Sequence, residues 1–147
     1  MKLEKFDRER LLRILDFLNS EIDDLQKKFI TLNFKIYSTD NDKRRNLERC
    51  IENIINSGLD MAKIIIINGG AKIPDTYKEY FLILYALGLV NKSIASGLAD
   101  GVRLRNILAH QYLDIKWKSI KDFLREGWKN YRKLAEVFNE FLQKNDD

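Results

Sequence analysis

Leu11, Leu15, Leu18, Ile22, Leu25, Phe29, Leu32 and Ile36 follow one another at alternating intervals of four and three residues. That spacing holds them on one stripe, and it predicts a single long helix from about Asp7 to Tyr37. Ser38-Thr39-Asp40-Asn41-Asp42 interrupts the stripe and supplies caps for the next helix. Leu47, Ile51, Ile54, Gly58, Met61 and Ile65 line this second long helix, stopped by Asn68-Gly69-Gly70. Pro74 suits the first turn of a shorter helix ending at about Leu87 and Gly88. Asn91 or Ser93 can cap a fourth helix, Ile94 to about His110. Asp114 can cap a fifth, with Ile120, Leu124, Tyr131, Leu134, Phe138 and Phe141 as its buried stripe.

No alternating strand pattern competes with these stripes, apart from the short run Ile64–Ile67. The expected fold class is therefore all-α: an antiparallel up-and-down bundle of four main helices plus a short fifth, in one domain spanning 1–147. The first stripe is longer than a small bundle requires, and Ile64–Ile67 is apolar all round. Both features predict a face buried by a second subunit.

Composition narrows the choice of function. With 147 residues, 45% hydrophobic and 33% charged, the chain is long enough for one cored domain. The lone Cys50 excludes an internal disulfide, and it falls on the apolar side of the second helix, where a thiol is inert. No apolar h-region follows Met1, and no stretch is long enough for a membrane span. This composition predicts a cytoplasmic protein without membrane contact. One histidine and one cysteine cannot build a structural zinc site, and Gly69-Gly70 lacks the Lys-Ser/Thr of a P-loop. No metal and no cofactor are expected. The net charge is only +4, yet Asp100–Lys133 carries nine Lys/Arg against four Asp/Glu. The remainder is slightly acidic. Such a local excess favours a polyanion, although a solvated helix face has the same composition.

The basic segment contains the chain's single histidine, in Arg105-Asn106-Ile107-Leu108-Ala109-His110-Gln111-Tyr112. An arginine can grip phosphate oxygens in a fork, and an imidazole can move a proton near neutral pH. Phosphodiester chemistry is the expectation. In metal-free RNA cleavage one group takes the proton of the attacking 2′-hydroxyl and another protonates the departing 5′-oxygen. Arg105 would steady the charge built up on the phosphate. Asn106 would orient His110 or bind the scissile phosphate, and Tyr112 would donate a hydrogen bond. At about 100° per residue, Arg105 and Tyr112 lie within roughly 20° of each other, whereas His110 is about 140° from Arg105 and closer to Arg103 and Asn106. Either the helix unwinds near Ala109, or the site is completed across a two-fold axis, which would also supply a second imidazole. The plainer alternatives are a histidine favouring the helix C-terminus, an Arg105 ion pair with Asp100 or Asp114, and a rim tyrosine.

Two further features bear on this chemistry. Asp60, among Leu59, Met61 and Ala62, is expected to be partly buried and paired with a basic residue of Arg103–His110. Lys118, Lys121, Arg125, Lys129 and Arg132 recur at three- and four-residue intervals, a stripe suited to a phosphate backbone. Trp117 and Trp128 could stack on bases or pack in the core.

The motif Arg105-Asn106-x-x-x-His110-x-Tyr112 on the fourth helix resembles the Arg-x4-6-His signature of HEPN domains, and more narrowly the Arg-x4-His-x-Tyr form of HepT toxins. Arg49 and Asp60 on the second helix, and Pro74 with Tyr77 and Phe81 at the third, look like the same family's pattern. Gln111 departs from it, standing where an acidic residue is usual. The resemblance implies a homodimeric, metal-independent endoribonuclease toxin with Arg105 and His110 of both chains at the dimer cleft; Asp60, Arg103 and Asn106 are the supporting or RNA-binding residues expected beside them. It also implies a partner, an MntA-like nucleotidyltransferase antitoxin that transfers AMP to Tyr112. A different class of function uses the same residues: a catalytically silent HEPN module that docks a nucleotidyltransferase and binds nucleotide or nucleic acid. A helical scaffold that binds no RNA is a third.

Overall fold

The computed structural model describes residues 2–144, and it is all-helical among them. Helix α1 (Lys5–Asp24) continues into a π turn at Leu25–Phe29 and stops, so the predicted single helix to Tyr37 is broken. The break has a local cause. Asn33 adopts an extended backbone, and its Oδ1 accepts the Ile36 N–H at 2.9 Å, starting a new six-residue helix, α2 (Phe34–Thr39). The apolar stripe survives through Phe29 and then changes face: Tyr37 is fully buried, while Leu32 and Ile36 are only partly so. Tyr37 stacks against Trp117 with ring centres 5.2 Å apart and donates to Glu48, which also holds Lys116 at 3.1 Å. These contacts tie α2 to the helix that carries Trp117.

Asp40 caps α3 (Asn41–Asn68), its carboxylate accepting the Lys43 N–H. This 28-residue helix runs through the middle of the bundle, touching α1, α2 and three helices later in the chain. Its exit is a Schellman turn. Gly70, at φ 76°, lets its own N–H reach the Ile67 carbonyl and that of Ala71 the Ile66 carbonyl. Helix α4 (Tyr77–Ala86) begins after Thr76, so Pro74 lies in the preceding loop and not in the first turn. Gly88, at φ 77°, closes α4 in the same manner as Gly70. Asn91 caps α5 (Lys92–His110), as one of the two predicted caps. Helix α6 (Leu113–Asp122) starts at Tyr112, with Asp114 in its first turn and not at the cap. A second π turn, Phe123–Gly127, joins α6 to α7 (Trp128–Lys144), which closes the bundle against α1. The four main helices are thus α1, α3, α5 and the α6–α7 rod, with α2 and α4 as short additions.

Helix α3 explains why Ile64–Ile67 is apolar without needing a second chain. Ile64, Ile65 and Ile66 are buried within this chain, and only Ile67 is exposed. The long stripe on α1 likewise ends at Phe29. Neither feature supplies a free face. Cys50 is buried, its thiol donating to the Glu21 carbonyl, and burial pushes it far above the ordinary thiol range. No helix among the described residues is long and apolar enough to cross a membrane.

Burial also pushes up the phenols of Tyr131 and Tyr37, the latter helped by Glu48. An unfolded chain releases these protons near the ordinary value of 10.0, while the folded chain retains them. The folded state then binds more protons, so stability falls as pH rises above that value. A urea midpoint that declines from pH 9 to pH 11, and declines less in Tyr131→Phe, is the expected result; equal declines in the two chains would remove Tyr131 as a cause.

Candidate functional site

Helix α5 remains regular up to His110, so the unwinding considered near Ala109 does not occur. Its packing against α3 and α4 decides where each candidate points. Arg105 turns inward between those helices and is half-buried. Its Nη1 donates to Asn56 Oδ1 at 2.8 Å, and its guanidinium lies 4.8 Å from the centre of the Tyr77 ring. The expected partners Asp60, Asp100 and Asp114 are not the ones it takes. Only one of its five N–H donors is used within the described residues, which leaves most of the fork available to an anion. A stacked, hydrogen-bonded guanidinium is held in one orientation before any ligand arrives.

Arg105, Asn56, Asp60, Lys63, Tyr77 and Tyr80 line a polar cavity of about 340 Å³. Asp60 is exposed on its wall and forms no ion pair with Arg103–His110, contrary to the partial burial expected from its apolar neighbours. Leu59 and Met61 face the core on either side of it, and one residue of helix turns Asp60 away from both. Asn106 and Arg103 line the adjoining groove between α4 and α5, about 710 Å³, with Tyr77 shared between the two hollows. Arg103 is exposed and stands 3.7 Å from Asp100.

His110 and Tyr112 line neither hollow. His110 is the exposed last residue of α5, and five regular helical residues set it about 140° from Arg105. Tyr112 is 82% exposed at the junction between α5 and α6. The candidates therefore form two groups in one chain: Arg105 with Asp60, beside Asn106 with Arg103, and separately His110 with Tyr112. No group of three His, Cys, Asp or Glu side chains among the described residues is arranged to hold a metal ion.

Asn56 and Lys63 were not singled out by sequence reasoning, and Tyr77 entered only through the family pattern. A signal existed: Asn56, Asp60 and Lys63 are polar at intervals of four and three on an otherwise apolar helix, which places them on one face.

This helical arrangement places the protein in a structural class before any family is assigned. It matches a HEPN toxin from Shewanella oneidensis, solved tri-AMPylated in complex with an MNT antitoxin, at TM-score 0.77 and 15% identity over 88% of this chain and 96% of that one. The structure of an MntA–HpeT toxin–antitoxin mutant matches at 0.78 and 15%, covering 88% and 97%. YutE, a cytosolic protein of Bacillus subtilis, matches at 0.79 and 16%, covering 95% and 93%. Identities this low establish a shared HEPN-like all-α fold and nothing further. The family comes from the sequence: the model of the HepT-like ribonucleases matches residues 18–138, and the chain belongs to that family. No curated protein matches it significantly.

Proposed function

We propose that the protein is a metal-independent endoribonuclease, the toxin of a type VII toxin–antitoxin system, and that it works as a homodimer. The observation that carries this reading is the Arg105 guanidinium, fixed by Asn56 and Tyr77 with most of its donors free, on the helix that ends in an exposed His110. Arg105 binds the non-bridging oxygens of the scissile phosphate. One imidazole accepts the 2′-hydroxyl proton as the 2′-oxygen attacks phosphorus. The P–O5′ bond breaks, and a second imidazole gives its proton to the 5′-oxygen, leaving a 2′,3′-cyclic phosphate and a 5′-hydroxyl. Each chain has one histidine, so the second belongs to the partner subunit. The divergence of Arg105 and His110 on a regular helix agrees with such a shared cleft. Asn106 and Arg103 flank the entry as RNA contacts, and Asp60 stands opposite Arg105.

The antitoxin is an MntA-like nucleotidyltransferase that transfers AMP from ATP to Tyr112. The exposure of Tyr112 supports this, as does the fold shared with a toxin that was solved AMPylated beside its antitoxin. The Tyr112 oxygen attacks the α-phosphorus of ATP and pyrophosphate leaves. Each AMP adds a negative phosphodiester beside His110, where the substrate phosphate must sit. Intact mass after incubation with the nucleotidyltransferase and ATP tests the assignment. Whole AMP increments are expected on the parent chain and none on Tyr112→Phe; equal increments on both would move the modification elsewhere. A second reading, a silent module that docks the nucleotidyltransferase, also fits the separation of Arg105 from His110 within one chain. It predicts no RNA cleavage by a purified dimer.

A further inference from the structure

The basic stripe of the α6–α7 rod lies apart from the Arg105 cavity, and its members part company in the structure. Arg132 is half-buried and committed to Asp23 and Gln26. Lys121, Arg125 and Lys129 line a separate groove of about 460 Å³ at the π turn between α6 and α7. Leu124 and both tryptophans, Trp117 and Trp128, line the same groove. Lys121 and Arg125 form no ion pair among the described residues, and Lys129 shares only the exposed Glu126. Of the rod's acidic side chains, Asp122 and Glu126 line a different hollow between α5 and α6, together with Asp100 and Arg103. Three cations and both indoles thus line the groove, and no carboxylate is among its described lining residues. Both indoles pack partly against the core, and what remains of them lines the groove beside the cations.

We propose that this groove is a second binding site for single-stranded RNA. Phosphates would sit at Lys121, Arg125 and Lys129, and bases would lie against the indoles. Phosphate neutralisation and sequence-tolerant stacking are the two parts of single-strand recognition. Neighbours already hold each indole, Trp117 against Tyr37 and Phe34 and Trp128 beneath Arg132, which presets the rings. The groove lies on the rod that begins at Tyr112, and Lys121 is nine residues along it, about 14 Å of helix. It would hold RNA beyond the scissile phosphate, and this extension rests on the reading of RNA as the substrate.

The chain's two tryptophans are both in the groove, so intrinsic fluorescence reports on it directly. The test uses the His110→Ala chain, to prevent cleavage, titrated with a single-stranded oligonucleotide of roughly twelve nucleotides. Saturable quenching is expected. The added pair Lys121→Glu and Arg125→Glu should weaken binding at least tenfold and reduce the log–log salt slope by about 1.4, or about 0.7 for each phosphate no longer neutralised. Both side chains are exposed, and Lys121→Gln with Arg125→Gln serves if the reversed pair fails to fold. RNA binding without quenching, or affinity unchanged by these substitutions, would overturn the proposal. So would equal quenching by polyglutamate, which would make the groove a seat for an acidic protein segment. Cleavage is followed separately, with His110 intact, on a dinucleotide too short to reach the groove. Dinucleotide cleavage by a chain whose groove shows no RNA binding before any groove substitution sinks the groove alone; groove binding without any cleavage sinks the ribonuclease reading alone.

Discussion

Replacement of His110 by alanine is expected to lower RNA cleavage by about 10²–10⁴-fold, the range for a lost general acid or base. Arg105→Ala should lower it by about 10²–10³-fold, as for a lost transition-state donor. The two differ in what they do to folding. His110 is exposed at a helix end, so its removal should change stability by less than about 0.5 kcal/mol. Arg105→Ala also loses the Asn56 hydrogen bond and the Tyr77 stacking, together about 1–2 kcal/mol at a half-buried site. Arg105→Lys keeps the charge but loses the flat fork, and it should remain nearly inactive. A dosage experiment addresses the shared cleft. In an exchanged equal mixture of parent and His110→Ala chains, only about a quarter of dimers retain two imidazoles, so activity should fall to about a quarter. Activity near one half would mean that each chain acts alone and would remove the composite site.

Helix α3 and the α6–α7 rod were legible in the sequence because each carries a long stripe, and burial follows it as far as Phe138; Phe141 is only half-buried, and Leu142 takes the core position. The end of α1 was not legible. Leu32 and Ile36 prolong the spacing of the α1 stripe, but the π turn and the Asn33 cap reset the register, and Tyr37 takes the buried position. A periodic pattern cannot reveal that reset, since a local cap competes with it over only a few residues. Asp60 illustrates a second limit. Apolar neighbours in sequence suggest a buried environment, yet adjacent helical residues point about 100° apart. At the candidate site, the separation of His110 from Arg105 followed from helical arithmetic alone. The partner of Arg105 did not, because Asn56 is 49 residues away and meets it only when α5 packs on α3.

That packing depends on a contact that yields the largest stability effect expected here. Tyr131 of α7 is fully buried, and its hydroxyl donates to the Leu98 carbonyl of α5 at 2.8 Å. Gly58 of α3 and Gly101 of α5 face the two sides of its ring. A Cβ on Gly58 would lie 2.8 Å from Tyr131 Cε1, and one on Gly101 would overlap the hydroxyl oxygen itself. Alanine in place of glycine inside a helix ordinarily gains about 0.5–1 kcal/mol. At Gly101 the overlap should reverse that sign, and Gly101→Val should cost about 3 kcal/mol or more, through overpacking and the displaced Tyr131 hydroxyl together. Denaturant midpoints would show it, and a Gly101→Ala chain as stable as the parent would mean that Tyr131 yields easily. Tyr131→Phe removes the overlapping oxygen but leaves the ring carbons 2.8–2.9 Å from the new Cβ. Combined with Gly101→Ala, it should recover part of the loss, a coupling of about 1 kcal/mol. Gly101 lies one helical turn before Arg105 on α5, and a helix pushed off Tyr131 carries the guanidinium away from Asn56. Gly101→Ala should therefore reduce cleavage even at temperatures where the chain stays folded, and the Tyr131→Phe partner should restore part of both stability and activity, linking the core contact to the aim of Arg105.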